Sequence, residues 1–230
     1  MSAPNPNPNP KPNSNPGASV PDAPAWRSSK AWAVLVSVVV LGLVADLGSK
    51  WWAFRSLGPA PVVVDRAEVL RAGDLGSLIP FPARREIVPG ILDFTLVLNR
   101  GAVFGMAAGK RAFFIAFTCV AVGLGMWMFA RWTTRRDTTL HAAIGLVLSG
   151  GLGNLYDRLV FACVRDFIHP LPGVMLPFGW SWPWGGREVW PYVSNVADLW
   201  LLVGIGVLLV AMLKAPPPTA EARPGSPSGA

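Results

Sequence analysis

The chain has 230 residues, of which 52% are hydrophobic and 14% charged, with a formal net charge of +7. Soluble domains usually carry about 25% charged residues, so this composition excludes an ordinary soluble protein and predicts a membrane protein. The positive charge does not indicate a nucleic-acid partner, because the Lys and Arg residues lie mostly beside apolar segments, where such charges orient a membrane protein.

Both ends of the chain are rich in Pro and poor in apolar residues. Residues 1–25 contain the run NPNPNPKPNSNP, and residues 215–230 have a similar composition. Such segments cannot bury enough apolar surface to offset the entropy lost on ordering, so we expect both tails to be disordered. Between them, residues 26–214 are predicted to form a single membrane domain.

Four apolar segments are long enough to cross a bilayer, since about 30 Å of hydrocarbon takes about 20 helical residues. The first is preceded by Arg27 and Lys30, as in a signal peptide. Its apolar run continues to Trp52 without a clear cleavage site of small residues, so we expect it to be retained. The predicted membrane helices cover about 31–53, 112–130, 140–161 and 193–213.

Basic residues in the short connections predict the orientation of these helices. Three Arg residues crowd the link 131–136, and Lys214 ends the fourth helix. Because Lys and Arg are enriched on the cytoplasmic side of membrane proteins, we expect both termini in the cytoplasm. The connections 54–111 and 162–192 then lie on the outer side.

The two outer connections differ in composition. Segment 61–98 contains short β-branched runs, PVVVD and DFTLVLN, which predict a small β-like platform. Segment 170–192 is rich in Pro, Gly and Trp, and is predicted to be an ordered interfacial loop or flap. The alternative is a mobile insertion whose indole rings merely rest among lipid headgroups.

Polar residues lie inside the apolar segments, where charged groups are costly and commonly mark a functional site. At 1.5 Å per residue, Asp46 lies about 24 Å from Lys30, which marks the cytoplasmic end of the first helix. Asn154 and Asp157 lie about 21 and 26 Å from the cytoplasmic start of the third helix. Asn195 and Asp198 lie only about 5 and 9 Å inside the outer end of the fourth helix. All five converge near the outer face: Asp46, Asn154, Asp157, Asn195 and Asp198.

Several of these residues also have a structural interpretation. Asp46 and Lys50 are four apart, so they share a helix face and could either pair or extend their charges outward to the interface. Asp157 and Arg158 are adjacent and could form an ion pair that closes a helix. Asp166, in VRDF just after the third helix, could by itself be an ordinary surface acid.

Asp166 and Asp198 together indicate a chemistry. Two carboxylates that lie close together cannot both ionise cheaply, so they share a proton. The ionised member then takes a proton from water, and the protonated member donates to the carbonyl oxygen of a peptide. The pair is therefore predicted to be the catalytic dyad of an aspartic peptidase.

Other chemistries find little support in the sequence. There is no HExxH motif, Walker loop or clear metal-ligand cluster. His169 lies three residues from Asp166, but the outer segments do not obviously supply further metal ligands. Ser49 and Lys50 are adjacent on a helix and point about 100° apart, which argues against a Ser–Lys dyad.

Five sequence blocks resemble those of lipoprotein signal peptidase, the type II signal peptidase of bacteria. In the family's order they are DLGSK (46–50), NRGAVFG (99–105), GGLGNLYDR (150–158), VRDF (164–167) and NVAD (195–198). The resemblance covers about 31–213. It implies a multi-pass enzyme of the bacterial inner membrane that removes signal peptides from prolipoproteins. The implied cut precedes a Cys carrying a diacylglyceryl group, near the periplasmic face.

The resemblance also implies roles for individual residues. Asp166 and Asp198 take the catalytic positions, and no cofactor or metal is implied. The implied partners are the lipid-modified prolipoprotein and membrane lipids, and we expect a monomer. The remaining motif positions, interpreted as shaping the site or binding substrate, are Asp46, Lys50, Asn99, Gly101, Asn154, Asp157, Arg158, Asn195 and Ala197.

The sequence departs from the family pattern at a few places. Ser194 stands where the family usually has an aromatic residue, and both outer segments are longer than the family's. Two alternative functions are a small membrane transporter and a non-catalytic homologue that binds lipoproteins. A transporter predicts charges through the membrane depth, whereas the cytoplasmic halves of these helices are nearly free of them. The intact acid pair argues against a non-catalytic homologue.

Overall fold

The computed structural model describes residues 22–81, 83–101, 111–183 and 185–214. The predicted tails lie outside these ranges, apart from the last four residues of the N-terminal one. Those four are folded: Ala25 is fully buried, and its N–H donates to the Thr133 carbonyl at 2.9 Å. The folded part of the chain therefore includes residues 22–25, which the composition assigned to the tail.

Four long helices occupy the predicted apolar segments. The first, α1, begins where the Ser28 side chain accepts a hydrogen bond from the Ala31 N–H at 3.3 Å, as an N-cap does. A short helix, α2, follows in the first outer connection. The helices are α1 Ser29–Ser56, α2 Arg66–Arg71, α3 Arg111–Trp132, α4 Thr138–Val160 and α5 Val196–Lys214.

Three helices of the described ranges are long and apolar enough to cross a membrane. They are α1, α3 and α5. Helix α4 is not among them; it is the central helix, packs against the other three and buries polar side chains such as Ser149 and Asn154. The protein is a mostly helical membrane protein, while the fourth crossing and the orientation of the termini stay predictions.

Glycine residues allow the neighbouring helices to approach α4 closely. A Cβ at Gly150 would lie 2.4 Å from the Ala197 carbonyl oxygen, and one at Gly153 would lie 2.3 Å from Asp46 Oδ2. These distances are too short for real contacts. The absence of a side chain at these two positions therefore lets α1 and α5 bring their polar residues against α4.

A small antiparallel sheet confirms the predicted β-like platform. Its strands are β1 Arg84–Val88, β2 Leu92–Asn99 and β3 Val164–Pro170, in the order β1-β2-β3. The third strand begins directly after α4, outside the segment from which the platform was predicted. Apolar residues such as Leu96, Leu98 and Phe167 pack beneath the sheet against the end of α1.

The Trp-rich insertion after β3 is a hydrogen-bonded hairpin. The Leu176 N–H donates to the Arg187 carbonyl at 2.7 Å, and the Val189 N–H donates to the Val174 carbonyl at 2.7 Å. This regular pairing agrees with an ordered loop. Its position at the membrane interface stays a prediction.

Candidate active site

Asp166 lies on strand β3 and is almost fully buried, with 1% of its surface exposed. Its partner across the sheet is Val97, next to an irregularity in the β2–β3 pairing. The carboxylate accepts hydrogen bonds from Asn195 Nδ2 at 2.6 Å and from Asn99 Nδ2 at 3.0 Å. The interpretation of Asp166 as an ordinary surface acid is therefore wrong.

The surroundings of Asp166 favour its protonated form. Burial, and after it the negative charge of Asp198, raise the pKa of Asp166 to about 7, although the hydrogen bonds from Asn195 and Asn99 act in the opposite direction. An unperturbed aspartate has a pKa of about 3.9. Near neutral pH, Asp166 therefore keeps a proton for much of the time.

A tight turn at the end of β2 fixes Asn99. Its Oδ1 accepts a hydrogen bond from the Gly101 N–H at 2.7 Å, which leaves Nδ2 to donate to Asp166. Gly101 has a φ of +97°, and a Cβ there would lie 2.4 Å from the Phe114 ring, so glycine is required for both reasons. The last four residues of the NRGAVFG block, 102–105, lie outside the described ranges.

Asn195 and Asp198 form a reciprocal cap at the start of α5. Asn195 Oδ1 accepts from the Asp198 N–H at 3.1 Å, while Asp198 Oδ2 accepts from the Asn195 N–H at 3.2 Å. This is the geometry of a capping box. It holds Asp198 in the first turn of α5, where the helix dipole stabilises negative charge.

Asn154 of α4 joins the two catalytic candidates to the rest of the site. Its Nδ2 donates to Asp198 Oδ1 at 2.8 Å, and its Oδ1 accepts from Asn195 Nδ2 at 3.2 Å. The same Asn195 nitrogen donates to Asp166. Amide side chains therefore connect both carboxylates in one network, and each amide is oriented by a partner on either side.

A buried lysine lies behind this network. Lys50 is fully buried, and its Nζ lies 2.8 Å from Asp46 Oδ2, 3.1 Å from Asn154 Oδ1 and 3.4 Å from Asp157 Oδ2. The other oxygen of Asp46 accepts from the Ala197 N–H at 2.8 Å. Of the two predicted alternatives, the structure shows the Asp46–Lys50 pair, and this pair ties α1 to both α4 and the first turn of α5.

Asp157 pairs with Arg165 rather than with its neighbour Arg158. Its oxygens accept from Arg165 Nη2 at 2.8 Å and from the Arg165 backbone N–H at 3.0 Å. Arg158 instead donates to the Asn154 carbonyl at 3.1 Å and lies over the Phe114 ring. The proposed Asp157–Arg158 ion pair is therefore wrong. Arg165 was not predicted as a site residue, although it lies in the VRDF block next to Asp166.

Each acid of the pair borders its own cavity. A cavity of about 400 Å³ adjoins Asp166 and is lined partly by Asn99 and Arg100. A second cavity of about 390 Å³ adjoins Asp198 and is almost wholly apolar, with Trp190 and Leu202 in its wall. An extended chain that passed between the acids would thus have space on both sides.

All the predicted site residues belong to one connected set. Polar contacts join them directly, and Gly101 and Ala197 take part through their backbone N–H groups. In the described part of the chain, no three His, Cys, Asp or Glu residues converge as ligands for a metal ion. The arrangement suits acid–base chemistry on water by two carboxyl groups held by amides.

Comparison with known proteins gives consistent matches over most of the chain. Residues 38–214 match the family described as Signal peptidase (SPase) II. A lipoprotein signal peptidase from Ectopseudomonas mendocina (strain ymp) is 34% identical over 144 residues, which cover 60% of this chain and 76% of that protein. One from Nitratidesulfovibrio vulgaris (strain DP4) is 32% identical over 188 residues, covering 78% of this chain and 92% of that protein.

The fold also matches a solved structure of a bacterial membrane enzyme. The TM-score is 0.54 with 24% sequence identity, over 79% of this chain and 94% of that one. At this identity the likeness establishes a shared fold.

Proposed function

The chain belongs to the signal peptidase II family, and from this premise we propose that it removes signal peptides from bacterial prolipoproteins by an aspartic mechanism. The cut falls immediately before a Cys that carries a diacylglyceryl group. The observation that carries the proposal is the bridge between Asp166 and Asp198 through Asn195 and Asn154. Such a bridge holds two carboxyl groups at one site without neutralising either with a cation.

The two acids have different roles in the proposed reaction. Asp198 accepts hydrogen bonds from Asn154 Nδ2 and from the Asn195 N–H, and it lies in the first turn of α5, at the positive end of the helix dipole. Asp166 is more deeply buried, and its raised pKa of about 7 lets it hold a proton. Asp198 therefore acts as the general base and Asp166 as the general acid.

In the first step, Asp198 takes a proton from a water molecule as the water oxygen attacks the scissile carbonyl carbon. Asp166 donates its proton to the carbonyl oxygen, which gives a neutral gem-diol. In the second step, Asp198 passes its proton to the amide nitrogen, the C–N bond breaks, and Asp166 recovers a proton from a hydroxyl of the diol. Every proton is accounted for, and the pair returns to its starting state.

The amide network is compatible with different protonation states of Asp166 and Asp198. Asn154 and Asn195 donate to the carboxyl groups without adding a positive charge, so they orient the acids but do not fix both as carboxylates. The buried Lys50 contacts Asp46 and Asp157 instead of either catalytic candidate. The ion pair with Asp157 holds α1 against α4.

The surroundings of the site suit a substrate that stays partly in the bilayer. The apolar cavity beside Asp198 includes Leu199 and Leu202 of α5, which are 47% and 68% exposed on a candidate membrane helix. A lipid-modified precursor would enter there from the side, with its acyl chains left among lipids. We propose that the protein is a monomer of the inner membrane with its site near the periplasmic face.

The experiment that tests this function uses purified protein in detergent and a prolipoprotein prepared with and without the diacylglyceryl group. Mass spectrometry of the products should show cleavage before the lipidated Cys and little cleavage of the unmodified precursor. Cleavage elsewhere, or equal cleavage of the two precursors, would contradict the proposed substrate class.

A further inference from the structure

The hairpin of residues 174–189 has a rigid frame. Besides the two cross-strand backbone hydrogen bonds, Trp182 Nε1 donates to the Glu188 carbonyl at 2.8 Å and the Trp182 N–H donates to the Gly186 carbonyl at 3.0 Å. At its base, the Leu171 N–H donates to the Ile91 carbonyl at 2.8 Å, which ties the insertion to the sheet. Within this frame, the turn Pro177–Gly179 interrupts the first strand of the hairpin, between the hydrogen bonds of Leu176 and Trp182.

This turn with the residue after it (177–180), named the aromatic turn, presents large apolar side chains to the surroundings. Phe178 is 90% exposed and Trp180 is 66% exposed, and their rings lie 6.1 Å apart. Phe178 has a φ of +59°, a conformation in which glycine or asparagine would be less strained. An exposed aromatic residue at a strained turn position gains nothing in water, and such exposed apolar groups mark an interaction surface.

Two features indicate that lipid is the partner of the aromatic turn. After the hairpin, Trp190 lines the same apolar cavity as Leu202, which is 68% exposed on the candidate membrane helix α5. The surface leading to the hairpin is therefore continuous with the side of α5 that faces lipid. Arg187 is exposed, and its Nη2 lies beside Gly179 of the aromatic turn, where a cation can meet lipid phosphates. Aromatic side chains next to a cation are typical of the membrane–water interface.

We propose that the hairpin anchors the protein to the bilayer surface next to the N-terminal end of α5. Phe178 and Trp180 insert among the outer parts of the lipid chains, and Arg187 contacts headgroup phosphates. The anchor is separate from the catalytic pair and does not depend on the proposed peptidase activity. It would hold β3, and hence one wall of the active site, at a constant height above the membrane.

The test places a nitroxide spin label at position 178 of the aromatic turn, with the protein in nanodiscs of phosphatidylethanolamine and phosphatidylglycerol. Cys119 is exposed and is first replaced by Ala, whereas Cys163 is kept because it is fully buried, and burial raises the pKa of its thiol to about 12. Labels are then introduced through Phe178→Cys, Leu202→Cys and Ser77→Cys. Leu202 serves as the lipid-facing standard, and the exposed Ser77 of the first outer connection as the water-facing standard.

The readout is a ratio of two collision rates of the label. The first is the rate with oxygen, which concentrates in lipid, and the second is the rate with a water-soluble nickel chelate. We expect the ratio at position 178 to favour oxygen several-fold over the ratio at position 77 and to approach that at position 202. A ratio equal to that at position 77 would show that the aromatic turn lies in water, and it would overturn the proposal. Protection from both reagents would show a protein partner, for example a second copy of the chain, and would overturn it as well.

Discussion

Asn195 Nδ2 lies 2.6 Å from Asp166 Oδ1, while the backbone N–H of the same Asn195 lies 3.2 Å from Asp198 Oδ2. One residue thus contacts both carboxyl groups, with its side chain on one and its main chain on the other. Because Asn195 also caps α5, the position of the helix and the geometry of the acid pair depend on a single side chain.

Replacement of Asn195 by Ala should therefore reduce activity more than stability. Asp166 gains negative charge in the transition state as it gives up its proton, and a hydrogen bond to a charged group contributes about 1.5–3 kcal/mol, so kcat/KM should fall roughly 10- to 100-fold. Loss of the cap should cost about 1 kcal/mol of folding free energy. The matched control is Ser194→Ala, which removes only a hydroxyl bond of 3.2 Å to the Ile168 carbonyl. Equal activity of the two variants would contradict the bridging role.

The pH dependence of cleavage should reflect Asp166. Its pKa is about 7, so this carboxyl loses its proton as the pH rises through neutrality and can no longer act as the acid. We expect kcat/KM to fall above about pH 7, measured with the lipidated precursor. A rate that is constant from pH 6 to 9 would show that no proton on Asp166 is needed.

The same pKa also predicts a change in stability with pH. In the unfolded chain the carboxyl has a pKa of about 3.9, so between that value and about 7 the folded state binds more protons. This group therefore lowers the free energy of unfolding as the pH rises through that window. In thermal unfolding, Asp166→Asn should lose less stability than the wild type between pH 4.5 and 7. Parallel curves for the two proteins would contradict the raised pKa.

Close packing at Gly153 should be sensitive to a single methyl group. In Gly153→Ala the new Cβ would lie 2.3 Å from Asp46 Oδ2, so Asp46 or α4 must move. Overpacking of this kind costs about 1–3 kcal/mol, which lowers the melting temperature by roughly 2–10 °C. Gly151→Ala is the control on the same helix, since its nearest neighbour, a Thr118 methyl group, lies at 3.6 Å. We expect that variant to be as stable as the wild type or slightly more so.

Lys50 should be needed for folding although it contacts neither catalytic candidate. Lys50→Met would leave Asp46 without its cation at 2.8 Å in a fully buried site. Breaking a buried ion pair by removing one partner costs about 3–5 kcal/mol. We expect a large fall in the thermal midpoint, whereas Lys30→Met, an exposed position on the same helix, should change it little. A stable Lys50→Met variant would show that the network does not hold the helices.

Helical depth was enough to predict which polar residues meet. The rise per residue placed Asp46, Asn154 and Asp198 on one level, and the structure joins the last two by a hydrogen bond of 2.8 Å. Helix geometry is set by residues that are close in sequence, so the number of residues along a membrane helix converts directly into a depth in the membrane. The pairing of Asp46 with Lys50 follows from the same regularity.

The features that sequence reasoning missed depend on contacts between distant parts of the chain. Asp166 looks like a loop acid until β3 pairs with β2, and the irregular register between Phe94 and Val97 has no signature that a single sequence reveals. The choice of Arg165 over Arg158 as the partner of Asp157 depends on how the chain turns after α4. Adjacent residues on a helix diverge in direction, which explains why Asp157 and Arg158 do not pair locally.

The most direct test of the catalytic pair compares three substitutions of Asp by Asn in the cleavage assay. Asp166→Asn and Asp198→Asn keep the shape of the side chain but remove its acid–base chemistry. Asp74→Asn is the control, because Asp74 is an exposed acid of the first outer connection that caps the Gly76 N–H. Folding of each variant is verified by its thermal unfolding curve. We predict that both site variants remain folded and lose cleavage at least 1,000-fold, roughly the loss on removing a catalytic group, while Asp74→Asn cleaves at the wild-type rate. A folded Asp166→Asn or Asp198→Asn variant with near wild-type cleavage would contradict the aspartic mechanism.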